Sequence, residues 1–378
     1  MAAPTMFFTE DFGLQLDDLL YEIGEELQLS TSRYQQAQDR YKALSHVLES
    51  EGSPFRLQKP LIYPQGSMRL GTTVQPLQGP HDLDFVLQLS RSHHEIKPMT
   101  LLFTLFNYLQ NHGTYRSMVS LKNRCVRIEY ANEFYMDVLP ACLNLEAGSN
   151  CIKVPDRQLQ EWKDSNPVGY VNWFVKKSEA ALLKLVMARA IPVPDQQTIQ
   201  EKHPLQFVVQ LIKRWRDLYY KNRCDTAPIS IVLTTLAAKH YDGDDCINTA
   251  LAKILNCICD EITIAESKRT RIIICNPANL REDLSERWNN DQAAYEAFVE
   301  GIRNFRRQWN LILAKSVNIN PALEGLFGET VKSAVIKQAK RVQEARTKKM
   351  LGVKSSGIIT GIGAADALPM RPNTYHGE

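Results

Sequence analysis

The chain has 378 residues, enough for two or three domains' worth of buried core, and its 44% hydrophobic and 23% charged content is ordinary for a globular protein. The net charge of +3 excludes a strong overall attraction to nucleic acid, so phosphate binding must come from a local cluster. Eight scattered cysteines argue against a disulfide scaffold. Without a secretion signal or an apolar run of ~18 residues, we expect a cytoplasmic protein outside the membrane.

The first elements in chain order are two helices over residues 10–50, whose apolar residues recur at helical spacing. The sequence "STS" supplies an N-cap for the second helix, and "EGSP" at 51–54 ends it. Residues 83–89 alternate between apolar and polar, which is typical of a strand, and 99–112 form a helical pattern. "NRCVRIEY" and "FYMDVLPA" predict two strands of a hairpin joined by "ANE".

The second half of the chain is predicted to be helical from about residue 171, after a polar, proline-containing loop over 154–174. The clearest pattern is "HPLQFVVQLIKRWRDLYYKNR", which has one apolar face. Further helices are expected just after Pro228 and over 246–264, 290–315 and 329–349. The basic side chains of the last helix are interpreted as a solvated face. Residues 352–378 lack periodicity and predict a flexible tail.

Two carboxylates interrupt the strand pattern at 83–89. Asp82 and Asp84 are two residues apart, so in a strand they project from the same face. Adjacent anions repel and resist leaving water, and a divalent cation removes both penalties. Asp137, in the strand "FYMDVLPA", alternates so that it can face the same place. Three such carboxylates predict a site for two Mg²⁺ ions, with Mn²⁺ as an alternative, of the kind that supports displacement at phosphorus.

A Gly-Ser turn precedes this strand. Gly66 lets backbone amides approach an anion closely, and Ser67 adds a hydroxyl donor. Arg69 adds charge in the "SMRLG" segment that follows, so the turn is interpreted as a cradle for a triphosphate. An isolated Asp-x-Asp is usually a solvated turn, and an isolated Gly-Ser is uninformative. Their combination with a third strand-borne aspartate favours function.

These residues resemble the pattern of the DNA polymerase β-like nucleotidyltransferase superfamily. Within it, the chain is similar to the bacterial cyclic GMP–AMP synthase/DncV-like enzymes, or CD-NTases. The segments that carry this resemblance are "PQGSMRLGT", "HDLDFVL", "VPDRQLQEW…SNPVGYVNWF" and "NPANLREDLSERW".

The resemblance implies an α+β fold with two lobes and the active site between them. One lobe is polymerase β-like, with a mixed sheet, and the other is helical, like that of poly(A) polymerase and oligoadenylate synthetase. The expected division is N-terminal helices along both lobes at 1–50, a catalytic lobe at 51–170, a helical lobe at 171–350 and a flexible tail at 351–378.

The resemblance also implies further substrate contacts. Gln65 matches a substrate-contacting glutamine, Lys213 matches a lysine that reaches the triphosphate, and Ser230 matches a serine near the phosphates. The alternatives are a solvated helix lysine at 213 and a simple cap residue at 230. Asp283 is expected to approach a base. Ile231 stands where animal relatives carry a stacking aromatic residue, so a base must stack elsewhere.

Two other groups of residues suggest sites. The spacing of His240, Cys246, Cys257 and Cys259 suggests zinc, but the last two point in different directions on a helix, which favours free cysteines. Trp162, Trp173 and Phe174 are interpreted as packing residues.

The sequence thus predicts a primer-independent synthase of cyclic di- or trinucleotides from NTPs, acting in antiphage (CBASS) signalling through a product-activated effector. A ubiquitin-like E1/E2 partner acting on the tail is a further expectation, and direct nucleic-acid binding is not expected. The alternatives are an RNA 3′-end nucleotidyltransferase, such as a CCA-adding or poly(A) enzyme, and a non-catalytic binding or antitoxin protein.

Overall fold

The structure, a computed structural model, describes residues 12–131, 133–148, 150–178, 202–348, 351–354, 359–361 and 367–369. Over these ranges the chain has the expected α+β fold, with a mixed sheet and helices that pack partly on the sheet and partly on one another. The predicted first two residues of the first helix, 10 and 11, lie outside the described residues.

The helices begin and end as follows: α1 Phe12–Leu27, α2 Thr31–Glu49, α3 Gly66–Leu70, α4 Pro98–Asn111, α5 Pro167–Ser178, α6 Pro204–Tyr219, α7 Ser230–His240, α8 Ile247–Ser267, α9 Gln292–Leu313, α10 Ile319–Phe327 and α11 Thr330–Thr347. The strands are β1 Leu61–Pro64, β2 His81–Ser92, β3 Val119–Leu121, β4 Val126–Tyr130, β5 Phe134–Leu143, β6 Ile152–Asp156, β7 Glu161–Ser165, β8 Cys275–Asn276, β9 Asn279–Asp283, β10 Leu351–Lys354, β11 Ile359–Gly361 and β12 Ala367–Pro369.

The main sheet has the strand order β1-β2-β5-β4-β3, and β6 and β7 continue from the end of β5. β2 pairs parallel with β5, whereas the other neighbouring strands are antiparallel. The predicted strand at 83–89 and the predicted hairpin of β4 and β5 are both confirmed.

The sheet buries one face under α2 and α4, and we call these elements with β1–β7 the sheet lobe. Leu83, Phe85, Leu87 and Leu89 of β2 point into this core, as their alternation predicts, together with the apolar stripe of α2. Tyr41 of α2 stacks on Phe85 with 4.6 Å between ring centroids. The opposite face of β2 is therefore free to carry the polar residues of a site.

The helical lobe consists of α5 to α10 around a core of large aromatic residues. Trp215 of α6 stacks on Phe305 of α9 with 4.6 Å between ring centroids. The apolar residues of α1 belong to this core, whereas those of α2 belong to the core of the sheet lobe. The two N-terminal helices thus pack on different lobes.

The basic helix α11 is only partly the solvated face that the sequence suggested. Lys332 and Lys340 are exposed, whereas another side of the helix packs along α1. On that side Lys337 pairs with Glu25 at 3.2 Å, and Arg341 pairs with Asp18 and Glu22. These acidic partners lie some 300 residues earlier in the chain, so no local pattern reveals them.

The prediction of a loop over 154–174 is wrong. Residues 152–165 form the antiparallel hairpin β6–β7, and α5 begins at Pro167. β7 has only five residues, and four of them are polar, so the strand shows no clear alternation. Other short elements that were not predicted include β1, β3, α10 and the hairpin β8–β9.

The tail contains regular structure that its lack of periodicity did not predict. β10 pairs antiparallel with both β11 and β12, which makes a small three-stranded sheet. The remaining residues of 351–378 lie outside the described residues, and the flexibility of the tail stays a prediction.

No helix in the described ranges combines the length and apolar character needed to cross a membrane. The two cysteines of α8 considered for a zinc site differ in solvent exposure: Cys257 is exposed and Cys259 is buried. The His240 ring instead forms a hydrogen bond with Glu261 at 2.9 Å.

Candidate active site

The predicted aspartates meet across two neighbouring strands. Asp84 of β2 is the register partner of Asp137 of β5, so both side chains project from the same face of the sheet. Asp82 lies two residues earlier on β2 and shares that face. All three line a cleft between the lobes.

An arginine that the sequence reasoning missed completes this row. Arg127 of β4 is the register partner of Asp137. Its Nε donates to Asp137 Oδ1 at 2.7 Å and its Nη2 donates to Asp137 Oδ2 at 2.8 Å. The same Nη2 donates to Asp82 Oδ1 at 3.1 Å. One guanidinium therefore holds two of the aspartates in a fixed orientation.

The electrostatics of this row are those of an anionic site short of positive charge. Desolvation by burial, together with the charges of Asp137 and Asp82, raises the pKa of Asp84 to about 7. Desolvation also raises the pKa of Asp82, and Arg127 partly opposes this. The positive charges of Lys213 and Arg127 only partly oppose the rise at Asp84.

The Gly-Ser turn touches this carboxylate directly. Gln65 N–H donates to Asp84 O at 2.8 Å, which ties the turn to β2. Gly66 has a φ of +61°, and a Cβ there would lie 2.6 Å from Asp84 Oδ2. Only glycine lets the backbone pass so close to the carboxylate. Gln65, Gly66 and Ser67 all line the cleft.

The helical lobe forms the opposite wall of the cleft with Lys213 and Ser230. Lys213 is only 8% exposed, so it is not the solvated lysine of the alternative reading. Burial lowers its pKa to about 8. Ser230 is the first residue of α7, and nearby Arg216 is held by the carbonyl of Pro228 at 3.0 Å. Lys213, Arg216 and Ser230 all line the cleft.

Two predicted residues do not line the cleft. Burial lowers the pKa of the Arg69 guanidinium, which interacts electrostatically with Tyr41 of the sheet lobe. Asp283 accepts hydrogen bonds from Ser285 N and Oγ at 2.8 and 2.6 Å. Its neighbour Glu282 lines the cleft instead, because successive residues of a strand face opposite sides.

The cleft has a volume of about 840 Å³ and draws its walls from both lobes. At one end Glu282 accepts from Ser165 Oγ at 3.0 Å, from Asn166 N at 3.1 Å and from Asn276 Nδ2 at 2.7 Å, so the lobes are bonded together there. Ile231 lines the cleft, as do the aromatic rings of Tyr170 and Tyr220. Trp173 and Phe174 pack in or against the helical core, and Trp162 packs against the core of the sheet lobe.

The oxygen ligands fit a magnesium ion whose remaining coordination positions substrate would fill. The oxygens of Asp82 and Asp84 are hard ligands, and the hydrogen bonds of Arg127 go to Asp137 and Asp82 rather than to Asp84. In the described part of the chain, however, no three acidic, histidine or cysteine side chains form a ready-made metal site. The expected set of three carboxylates is therefore not preassembled, and Asp137 is engaged by Arg127. Phosphate oxygens would have to supply further ligands.

Comparison with known proteins agrees with this geometry. Residues 15–178 match the family model described as the Second Messenger Oligonucleotide or Dinucleotide Synthetase domain. The "c-di-GMP synthase" of Roseivirga ehrenbergii is 30% identical over 381 residues, which cover 99% of this chain and 100% of that protein. "Cyclic dinucleotide synthase CdnG" of Bradyrhizobium diazoefficiens is 22% identical and covers 87% of this chain and 84% of its own length.

The fold is shared with a solved structure as well. The structure of Bradyrhizobium diazoefficiens CdnG in complex with GTP matches with a TM-score of 0.71 at 22% identity, over 86% of this chain and 98% of that one. The aspartate row, the glycine turn beside it and the full-length match to a synthase lead to one conclusion. The chain belongs to the bacterial CD-NTases, the nucleotidyltransferases that synthesise cyclic oligonucleotides.

Proposed function

We propose that this protein joins two GTP molecules into cyclic di-GMP and releases two pyrophosphates. The observation that carries the proposal is the row Asp84–Asp137–Arg127 across three strands, which faces the Gly66 turn on one side and Lys213 on the other. The choice of guanine is supported by the name of the relative that is 30% identical over its whole length.

Asp82 and Asp84 would hold Mg²⁺ in this proposal, with Asp137 beside them. The bound metal supplies charge that stabilises the phosphoryl oxygens and lowers the pKa of an attacking hydroxyl. The Gly66 backbone can lie against the triphosphate because no Cβ intervenes. Lys213 places a buried cation on the opposite wall, and Ser230 offers the free amides of the first turn of α7.

The chemistry is two successive displacements at phosphorus. A ribose hydroxyl of one GTP attacks the α-phosphorus of the other, a new O–P bond forms, and the bond to pyrophosphate breaks. The hydroxyl proton passes to the Asp137 carboxylate, whose orientation is fixed by Arg127. Repetition of the step within the linear intermediate closes the ring.

The protonation of Asp84 gives the reaction a pH dependence. With a pKa of about 7, this carboxyl is partly protonated near neutrality in the absence of metal, and only its anion is a good ligand. Rising pH removes the proton, so metal binding and activity at limiting Mg²⁺ increase as the pH passes from about 6 to 8.

The test is synthesis from nucleotides alone. The purified chain receives each labelled NTP and the mixture of four, with Mg²⁺ or Mn²⁺ and without primer, and the products are resolved by mass. We expect a product with the mass of two GTP less two pyrophosphates. EDTA and the Asp82→Ala/Asp84→Ala double variant abolish it, whereas Asp283→Asn, outside the cleft, retains it. Elongation of added RNA, or synthesis by the double variant, would contradict the proposal.

The biological setting is proposed from the same chemistry. The product would act in the cytoplasm on a separate effector in antiphage (CBASS) signalling, without direct nucleic-acid binding by the synthase. A ubiquitin-like E1/E2 partner would act at the C-terminal tail. Intact-mass measurement of the chain after coexpression with neighbouring genes checks this partner, and an unchanged mass contradicts it.

A further inference from the structure

Thr72 connects the Gly-Ser turn to the lysine on the opposite wall. It is completely buried. Its N–H donates to Ser67 O at 2.9 Å, in the turn of the sheet lobe. Its carbonyl oxygen and its Oγ1 both accept from Lys213 Nζ, each at 3.1 Å. A single residue therefore bonds to two of the groups proposed to hold the triphosphate.

The segment around Thr72 is held by α6 rather than by a strand. Its carbonyls accept from side chains of that helix: Gln206 Nε2 to Leu70 O at 2.8 Å, Gln210 Nε2 to Thr73 O at 2.7 Å and Arg214 Nη2 to Gln75 O at 2.7 Å. Because these bonds run along one side of α6, the position of Lys213 relative to the turn is closely determined.

The Lys213 ammonium has a hydrogen-bond donor left for substrate. An ammonium group has three N–H donors, and Thr72 accepts two of them. Lys213 lines the cleft, so the remaining donor is available on that side. Burial lowers the pKa of Lys213 to about 8; the charges of Asp217 and Asp84 oppose this, and that of Arg216 adds to it.

We propose that Thr72 is a positioning residue that holds the Lys213 ammonium, through the Thr72 hydroxyl, at the point where it meets the substrate triphosphate. The inference rests on the proposed function in one respect, since it takes Lys213 to bind that triphosphate.

The experiment measures the affinity for a GTP analogue with a methylene bridge between the α- and β-phosphates, with Mg²⁺, by calorimetry from pH 6.5 to 9. Thr72→Val removes the hydroxyl at nearly constant shape, and Thr72→Ser keeps it. We expect the valine variant to bind about tenfold more weakly and to lose affinity at a lower pH, because the ammonium has lost an acceptor. The serine variant stays within about threefold.

Controls separate positioning from a general effect on the fold. Thr263→Val makes the same change on α8, where the hydroxyl bonds only locally, and should leave binding unchanged. In a Lys213→Met background, Thr72→Val should weaken binding by less than about twofold further, since the partner is already gone. If the valine variant fails to fold, Thr72→Ala compared with Thr72→Ser isolates the hydroxyl in its place.

The results that overturn the inference are distinct from those that overturn the proposed function. Equal binding by the valine (or alanine) and serine variants refutes the role of the hydroxyl. A full loss that persists without Lys213 refutes action through the lysine. Absence of a cyclic product from the unaltered chain contradicts the synthesis reaction, whereas the binding measurements decide the role of Thr72 on their own.

Discussion

Because nearby positive charge does not fully compensate the Asp84 carboxylate, we predict that ionised Asp84 destabilises the metal-free fold. Its pKa rises from 3.8 to about 7, and each pKa unit corresponds to about 1.4 kcal/mol, so an ionised Asp84 costs at most about 4 kcal/mol. The side chain reaches water in the cleft, and screening reduces this to about 2 kcal/mol. Because the folded pKa exceeds the unfolded one, the penalty grows between pH 4 and 7 and is complete above pH 7.

The perturbation is Asp84→Asn, which removes the charge and keeps the shape. In EDTA at pH 8 we expect the variant to be more stable than the parent by about 2 kcal/mol, or to melt about 3 °C higher for a chain of this length. At pH 5 the difference should be less than half of its value at pH 8, since Asp84 is then protonated in the folded chain but still ionised in the unfolded one. Thermal denaturation followed by circular dichroism measures both, with Asp283→Asn as the control carboxylate outside the cleft. A destabilised variant at pH 8, or an equal gain at both pH values, would refute the reasoning.

The remaining predictions concern other contacts of the site and the fold. Gly66→Ala should lower kcat/KM more than a hundredfold by intruding on the neighbouring carboxylate, whereas Gly79→Ala, with a similar φ of +77° and no atom within 4 Å of the added Cβ, should cost no more than about threefold. Arg127→Met should lower kcat about a hundredfold without unfolding the chain, measured by product formation and circular dichroism. Arg341→Met leaves the buried carboxylates of α1, whose pKa values burial already raises, without their cation; its melting temperature should fall more at pH 8 than at pH 5.

The sequence was most informative where the pattern is local. The period of two along β2 placed Asp82 and Asp84 on one face and the apolar residues on the other. The turn at Gly66 and the strand around Asp137 were also recognised from adjacent residues. Each of these inferences needs only the geometry of a single strand or turn.

The sequence was least informative where the pairing between distant elements determines which residues reach the site. Arg127 reaches the site because β4 pairs with β5 in one register, which no local pattern specifies. Glu282 rather than Asp283 lines the cleft because β9 has only five residues, too few to show an alternation. Thr72 gains its role from a helix about 140 residues later in the chain.

The placement of the reacting groups has a consequence for how such an enzyme can diversify. The acids and their arginine stand on consecutive strands of a paired sheet, so moving any one of them would disturb all its neighbours. Residues 76–80 follow the segment that is bonded to α6, and Pro76, Leu77, Gln78 and Pro80 form part of the rim of the cleft. New nucleotide preferences can therefore arise by exchange of rim residues while the reaction itself is left intact.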